Sequence, residues 1–368
     1  MRAILLGLLS SAFFSATFII NRAMNVSGTS WAWTASFRFL FALPILFLIV
    51  LFRKNFRGLW EELKKHPLAW IGWGSVAGIG FYSLLSFAAV FSPAWLVAGT
   101  WQVTILAGLL LSPLFFVKIE TKSGTKLVRG KIPLRSLYVA LFILLGVICM
   151  QATAAGHITM TQFISGFLPV VLAAFLYPFG NRKMMELVGG RLDTFQRVLG
   201  MAIGSLPITI LLGVYGFSTT GIPTSSQMLQ GLLLALCSGV IATMTFFFAT
   251  DLAKDNLALL GAVEATQAGT MVFTVLGEII FLNGSFPGGL SLIGMIIIML
   301  GMVANSILNR SVPVVKQKKS AIKKGYGSIE MNHTLFYCPP ISPYQNSTSL
   351  AVYTKTYVII RFMRINRR

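Results

Sequence analysis

Residues 31–57 read WAWTASFRFLFALPILFLIVLFRKNFR. The apolar part, from Trp31 to Leu51, is close to the roughly 20 residues that a helix needs to cross about 30 Å of hydrocarbon. Arg53, Lys54 and Arg57 follow it at once. An apolar segment that ends in a cluster of basic side chains is typical of a transmembrane helix whose end lies on the cytoplasmic side. The stretch therefore predicts a membrane-spanning helix that runs inward.

Apolar segments of this kind recur along the chain. Of its 368 residues, 55% are hydrophobic and 11% are charged, and the mean hydropathy is +0.78. A soluble protein of this length would expose too much apolar surface. The sequence predicts an integral membrane protein, in contact with the lipid bilayer, with these ten spans: Ala3–Ile20, Trp31–Leu51, Leu68–Val90, Ala94–Phe116, Leu137–Ala155, Phe163–Gly180, Val198–Phe217, Met228–Thr250, Leu257–Leu282 and Gly288–Ile307.

The basic residues favour one side of the membrane. The loops after the second, fourth and sixth spans are rich in Lys and Arg, the loop after the eighth has Lys254, and the loops between them hold almost none. Arg2 and the basic residues from Arg310 onward fall on the same side. This is the positive-inside pattern. It predicts a membrane protein with both termini in the cytoplasm, and it assigns the net charge of +20 to a membrane face rather than to nucleic-acid binding.

The two halves of the chain resemble each other. Asn21-Arg22 corresponds to Asn181-Arg182, Arg38 corresponds to Arg197, and Gly99, Gln102 and Thr104 correspond to Gly261, Glu264 and Thr266. Because each half has an odd number of spans, the second copy must be inverted across the membrane. The predicted fold is an all-α polytopic membrane protein of ten transmembrane helices, arranged as two five-helix inverted repeats. The predicted units are residues 1–156, residues 157–309 and a basic, disordered cytoplasmic tail at 310–368.

Further motifs connect the sequence with a known family. Pro93-Ala94 and Asn256-Leu257 open the fourth and ninth spans, and Leu276-Gly277-Glu278 closes the ninth ahead of Pro287-Gly288. With the five-plus-five arrangement, they make the chain resemble the drug/metabolite transporter superfamily, and within it the putative multidrug-resistance efflux transporter family of bacteria. The resemblance implies a transporter that exports small molecules across a bacterial cytoplasmic membrane. The small four-span exporters of this superfamily use a glutamate in their first helix, whereas the first span here has no acidic residue.

Four ionisable side chains lie within the spans or at their ends, where burying a charge costs about 2.5 to 3.5 kcal/mol at the centre of a helix. Arg38 and Glu278 belong to the outer half, and Arg197 and Glu264 to the inner half. The two arginines are predicted to bind an anionic group of the substrate, with a structural ion pair or snorkelling as the alternative. Glu264 is predicted to carry protons or another cation, with a static salt bridge as the alternative. Pairing of Arg38 with Glu278 and of Arg197 with Glu264 would give two gates that close in turn.

Uncharged side chains complete the candidate site. Asn21, Asn181 and Gln102 offer amide groups at membrane depth, and Trp101 and Tyr177 offer rings for stacking on a substrate. Small residues four apart allow helices to approach closely. The sequence has two such pairs, Gly74 with Gly78 and Gly200 with Gly204.

These features predict a secondary active transporter that exports small organic solutes by alternating access, coupled to protons, as a monomer or homodimer. A carrier of metabolites or anionic solutes with the same fold is the alternative, and a membrane scaffold that transports nothing is a third possibility. The sequence shows no phosphate-binding loop, no His-Glu-x-x-His and no paired aspartates. Accordingly we expect no enzymatic activity, catalytic residue, metal or cofactor.

Overall fold

The computed structural model describes residues 1–121, 124–155, 159–253 and 257–309. The predictions made for the tail at 310–368, for Lys254 and for the boundary between residues 156 and 157 lie outside the described residues. The elements of the first half are α1 Arg2–Val26, α2 Trp31–Phe52, α3 Phe56–Lys65, α4 Pro67–Ser75, α5 Phe81–Phe91, α6 Ala94–Trp101, α7 Val103–Leu110, β1 Phe116–Thr121, β2 Gly124–Arg129 and α8 Leu134–Ala155. Those of the second half are α9 Met160–Val188, α10 Thr194–Gly204, α11 Leu206–Thr220, α12 Ser225–Leu234, α13 Ala242–Ala253, α14 Leu257–Ala265, α15 Gly269–Leu282 and α16 Gly289–Asn309.

Eight helical stretches of the described residues are long and apolar enough to cross a membrane, and they coincide with all the predicted spans except the fourth and the seventh. The seventh is the bent pair α10 and α11, which meet at 50°. The bend lies at Ser205, directly before the Leu206-Pro207 sequence. Proline cannot donate a backbone hydrogen bond and its ring clashes with the preceding turn, so the helix bends there.

The fourth predicted span is wrong beyond Leu110. The apolar helix formed by α6 and α7 covers only Ala94–Leu110, and a 3₁₀ turn at Ser112–Leu114 ends it. The turn contains Pro113, which removes a donor that the helix would need. After it, β1 and β2 form an antiparallel hairpin in which Phe116 is paired with Arg129. This hairpin departs from the all-α prediction, and ten full-length spans are not established.

The helices pack in a regular pattern. α1 contacts α13 and α15, whereas α9 contacts α5 and α7. We call the helices around α1 the first group (α1 and α12 to α15) and those around α9 the second group (α4 to α7 and α9). α2 packs against α10 and α11, and α8 packs against α16. An internal repeat would give corresponding helices corresponding contacts, as α1 and α9 have. The inversion of the repeat across the membrane stays a prediction.

Two spans contain a short π-helical segment. Val76–Gly80 lies between α4 and α5, and Ala235–Ile241 lies between α12 and α13. These are the third and eighth spans, which correspond to each other in the predicted repeat. Because π segments are rare and often lie at functional sites, they direct attention to the region between the two groups.

Glycines allow the closest helix crossings. A Cβ atom on Gly74 of α4 would lie 3.2 Å from the carbonyl oxygen of Met201 in α10, and one on Gly204 would overlap the backbone of Trp70. The prediction that these small residues permit close packing is confirmed. Where α8 crosses α16, a Cβ atom on Gly294 would lie 2.5 Å from the carbonyl oxygen of Gly146. Neither crossing leaves room for a side chain.

An ion pair outside the spans connects the two halves of the chain. Arg191, in the turn between α9 and α10, donates from Nε and Nη2 to the two oxygens of Glu62 in α3, at 2.8 and 2.9 Å. Glu62 is buried and Arg191 is exposed. Hydrogen bonding from Arg191 holds the pKa of the Glu62 carboxyl below its usual range.

Replacing Glu62 with glutamine is expected to lower the free energy of unfolding by about 1 to 2 kcal/mol near neutral pH, because it removes a charge-assisted bidentate hydrogen bond. Since folding lowers the pKa of Glu62, the stabilisation is complete above the unfolded carboxyl pKa of about 4.3 and is lost as the pH falls through the folded value. Thermal unfolding in detergent at pH 7 and in acid would measure this. The difference between wild type and Glu62→Gln should shrink in acid.

Glu61 offers a matched control in the same helix. Its partner Arg57 is almost fully exposed, and such pairs contribute little. Glu61→Gln should therefore change the thermal midpoint by less than Glu62→Gln at either pH. Equal effects of the two substitutions at pH 7 would contradict the role assigned to the Glu62–Arg191 pair.

Candidate functional site

Arg38 lies in α2 among aromatic rings. Its guanidinium carbon is 4.1 Å from the centre of the Tyr82 ring and 5.4 Å from that of Phe39. Its Nε donates to the hydroxyl of Ser238 at 3.4 Å. Within the described part of the chain Arg38 has no ion pair with a carboxylate. The charge is therefore stabilised by ring faces and one long hydrogen bond, a weak arrangement for a cation at membrane depth.

The ring beneath Arg38 is held in place from α1. The Tyr82 hydroxyl donates to Oδ1 of Asn21 at 3.0 Å, and the Ser86 hydroxyl donates to the same oxygen at 3.3 Å. Tyr82 and Asn21 are both buried. Asn21 thus positions the aromatic face over which the guanidinium lies.

Further rings extend the site toward α6 and α9. Phe81 lies 5.7 Å from Trp101 and 4.8 Å from Tyr177, and Trp101 lies 5.5 Å from Tyr177, measured between ring centres. The prediction singled out Trp101 and Tyr177, and the structure brings both beside Phe81. We call Arg38, Tyr82, Phe81, Trp101 and Tyr177, with Asn21 and Ser238, the central cluster.

Arg197 approaches the central cluster from α10. Tyr177 interacts electrostatically with both Arg38 and Arg197. The Nε of Arg197 is buried and has no hydrogen-bond partner among the described residues. Nor does Arg197 form an ion pair with Glu264 there, so the predicted inner gate is absent from this conformation. Two arginines from corresponding spans therefore lie within electrostatic reach of Tyr177.

Glu278 does not pair with Arg38, contrary to the predicted outer gate. Its Oε1 and Oε2 accept the backbone N–H groups of Ala94 and Trp95, each at 3.0 Å. These groups begin α6 and have no partner within the helix, so a carboxylate satisfies them well. Glu278 therefore connects α15 of the first group with α6 of the second group.

The other predicted amide side chains make hydrogen bonds within their own helices. Gln102 donates to the carbonyl oxygen of Ala98 at 3.2 Å, and Asn181 donates to that of Tyr177 at 3.0 Å, each within its own helix. Glu264 lies in α14, just before the 3₁₀ turn Thr266–Ala268. The structure thus groups Asn21 and Arg38 with the two predicted rings, and that Gln102 or Asn181 binds a solute stays a prediction.

Three members of the central cluster were not predicted from the sequence: Phe81, Tyr82 and Ser238. Tyr82 and Ser86 could have been noticed as polar side chains one helical turn apart in an apolar span, at the spacing that places them on one face. The sequence has no such signal for Ser238, which reaches Arg38 from the π segment Ala235–Ile241.

The chemistry of this site is that of binding. A guanidinium group presents a planar fork of donors that matches a carboxylate or phosphate, and aromatic rings offer flat faces for stacking. The described residues contain no group of three or more His, Cys, Asp or Glu side chains that could hold a metal ion. The arrangement therefore fits the recognition of a small organic molecule.

Comparison with known proteins gives four findings. Residues 1–311 match the family described as EmrE, putative multidrug resistance efflux transporter. The chain is 50% identical over 310 residues to the uncharacterized protein YjlA of Bacillus subtilis (strain 168), covering 84% of this chain and 96% of that protein. It is 47% identical over 269 residues to an uncharacterized 42.1 kDa protein of Shouchella clausii, covering 73% and 70% of the two chains. A crystal structure that is 16% identical shares the fold with a TM-score of 0.55, over 84% of this chain and 97% of the other.

Proposed function

Since the chain belongs to the putative multidrug resistance efflux transporter family, we propose that it is a secondary transporter that exports small organic solutes by alternating access, driven by protons. The family and the apolar helices make it a multi-pass membrane protein of an efflux family. We further propose that it lies in a bacterial plasma membrane with both termini in the cytoplasm, on the basis of the basic loops described above. The residues proposed to bind solute are those of the central cluster.

The observation that carries this proposal is a pair of polar contacts between the two helix groups, both at the same end, which we call the outer ties. Glu278 of the first group caps α6 of the second. Arg22 at the end of α1 donates to the carbonyl oxygens of Ala89 and Val90 at the end of α5, both at 2.9 Å. Under the proposed orientation this is the outer end. The ties would close the outer access to the central cluster.

The corresponding arginine at the opposite end is Arg182, which donates to the carbonyl oxygen of Gly108 in α7 at 2.6 Å. This bond lies within the second group. Polar contacts that join the two groups at the outer end are what an inward-facing state of an alternating-access transporter would show.

Protonation of Glu278 offers a way to couple protons to the outer ties. An ionised carboxylate accepts the two N–H groups of α6 more strongly than a protonated one does. A proton that enters from outside would weaken this cap and favour separation of the two groups. Glu264, which the sequence singles out as a proton carrier, remains the candidate on the inner side.

The test is proton movement in proteoliposomes that contain the purified protein and a pH-sensitive dye. We expect solute-dependent proton flux for at least one member of a panel of cationic, zwitterionic and anionic organic solutes, and we expect Glu264→Gln to abolish it because glutamine cannot release a proton. Glu61→Gln serves as the control, since Glu61 lies in α3 and its side chain is exposed. Flux that survives Glu264→Gln but is lost in Glu278→Gln would transfer the carrier role to Glu278. Solute exchange without proton flux would contradict the coupling, and a protein that moves no solute would favour the scaffold.

A further inference from the structure

We propose that the transported solute is an organic anion with a flat aromatic body, bound between Arg38 and Arg197 at the central cluster. The inference rests on the proposed function, which specifies only small organic solutes, and it adds the charge and shape of the solute. Four observations support it.

The first observation is the charge balance of the arginines. Arg53 and Arg191, which lie outside the spans, have the carboxylates of Asp193 and Glu62 at 3.6 and 2.8 Å. Arg38 and Arg197 lie within spans and form no ion pair with a carboxylate in the part of the chain that the structure describes, although Asp193 acts on Arg197 electrostatically. Each unpaired charge is costly at membrane depth. An anionic solute would supply the missing partner.

The second observation is the orientation of Arg38. One face of its guanidinium lies against the Tyr82 ring, and its Nε makes only a 3.4 Å bond to Ser238. Charge-assisted hydrogen bonds are usually about 2.7 to 2.9 Å long. Neither Nη nitrogen has an acceptor among the described residues, and Arg38 as a whole is only partly buried. The donor edge of the guanidinium is thus available to a carboxylate.

The third observation is the second arginine. Arg197 has a buried Nε without a hydrogen-bond partner among the described residues, and Tyr177 lies within electrostatic reach of both guanidinium groups. A buried donor without an acceptor costs about 1 to 3 kcal/mol. An anionic group of the solute would satisfy it. Two positive charges at one site also disfavour a permanently cationic solute.

The fourth observation is the ring surface between them. Trp101 and Tyr177 are partly exposed, and both rings contact Phe81. Aromatic faces of this kind bind flat apolar bodies by offset stacking. The site therefore combines a cationic fork with an aromatic surface, which is suited to an aromatic carboxylate.

The test uses three probes with one ring system and different charges: indole-3-acetate, indole-3-acetamide and tryptamine. Binding to the wild-type protein in nanodiscs is measured by calorimetry and by the shift of the thermal midpoint. We expect indole-3-acetate to bind at least about tenfold more tightly than the amide, a difference of about 1.4 kcal/mol, and tryptamine to bind most weakly. Equal binding of the three, a preference for the amine, or no binding by any of them would overturn the proposal.

Substitutions test whether Arg38 and Arg197 are the residues that bind the anion. Arg38→Gln and Arg197→Gln are each expected to lose the preference for the anion, whereas Arg38→Lys should retain part of it, since lysine keeps the charge and loses the planar fork. Arg53→Gln is the control, because Arg53 is paired outside the spans. If Arg38→Gln does not fold, the wild-type comparison and Arg38→Lys still decide the question. An Arg38→Gln protein that binds indole-3-acetate as wild type does would contradict the assignment.

The two proposals fail in distinguishable ways. If proteoliposomes export tryptamine or another cation but no anion, the transporter proposal stands and the anion inference is wrong. If no solute moves, while indole-3-acetate binds with the expected preference, the transporter proposal fails and the binding site stands.

Discussion

Replacing Gly294 with leucine is expected to abolish the folded protein. Gly294 lies where α16 crosses α8, and a Cβ atom there would be 2.5 Å from the carbonyl oxygen of Gly146 and 2.8 Å from Cγ of Met150. Overpacking of a tight contact typically costs about 1 to 3 kcal/mol. Leucine adds four carbon atoms against a backbone that cannot move alone, so the two helices must separate along their length. The measurement is the fraction of monodisperse protein after extraction in detergent, together with its thermal midpoint.

The same substitution at Gly72 is the matched control. Gly72 lies in α4, and nothing lies within 4 Å of the position its Cβ would occupy. Leucine is a good helix former and suits a surface that faces lipid, so Gly72→Leu should leave the yield and the midpoint near wild type. Gly294→Ala should lie between the two. If Gly294→Leu folds as well as Gly72→Leu, α8 and α16 do not cross this closely in the membrane.

Replacing Glu278 with alanine is expected to have the second largest effect on stability. The substitution removes both acceptors from the N–H groups of Ala94 and Trp95 at the buried start of α6. A hydrogen bond to a charged group contributes about 1.5 to 3 kcal/mol, so the loss of two should lower the free energy of unfolding by about 3 kcal/mol or more. It also removes one of the two ties between the helix groups. We therefore expect a lower thermal midpoint and, if the protein survives extraction, uncoupled or absent transport.

Glutamine at this position separates the two effects. Glu278→Gln keeps one acceptor and places a donor opposite the other N–H, so its stability should lie between wild type and Glu278→Ala. Glu186→Ala is the control, because Glu186 makes a partly exposed ion pair with Lys183 and such pairs contribute little. A Glu278→Ala protein as stable as Glu186→Ala would show that the α6 cap is not a structural tie.

Sequence reasoning correctly predicted the features that the thickness of the membrane determines. Hydrocarbon thickness determines how long an apolar segment must be, so the helix at Trp31–Phe52 was found within a residue of its end. Two helix backbones can come close only where the side chains between them are small, so the glycines of α4 and α10 were correctly predicted to lie at a helix contact. Sequence reasoning failed for contacts that depend on which way a side chain points around its helix. Depth along the chain put Glu278 level with Arg38, but the carboxylate faces the start of α6 instead.

Local irregularities were also beyond sequence reasoning. The hairpin after Leu110 follows a proline, but the same residue type inside α2, Pro44, leaves that helix continuous. What decides between the two outcomes is whether neighbouring helices support the interrupted turn, and this depends on tertiary packing. The contact between Ser238 and Arg38 was not predicted for the same reason, since it depends on a π segment for which the sequence shows no characteristic pattern.

The π segments of the third and eighth spans have a consequence for insertions and deletions in this family. A π turn holds one residue more than the α turn it replaces. Because the extra residue is absorbed within that turn, deleting a single residue from Val76–Gly80 would restore the α-helical turn and leave the residues beyond it facing nearly the same way. Tyr82 would then stay near the guanidinium of Arg38. A relative that forms an α-helix through all five residues would instead rotate Tyr82 by about 100° and lose this contact.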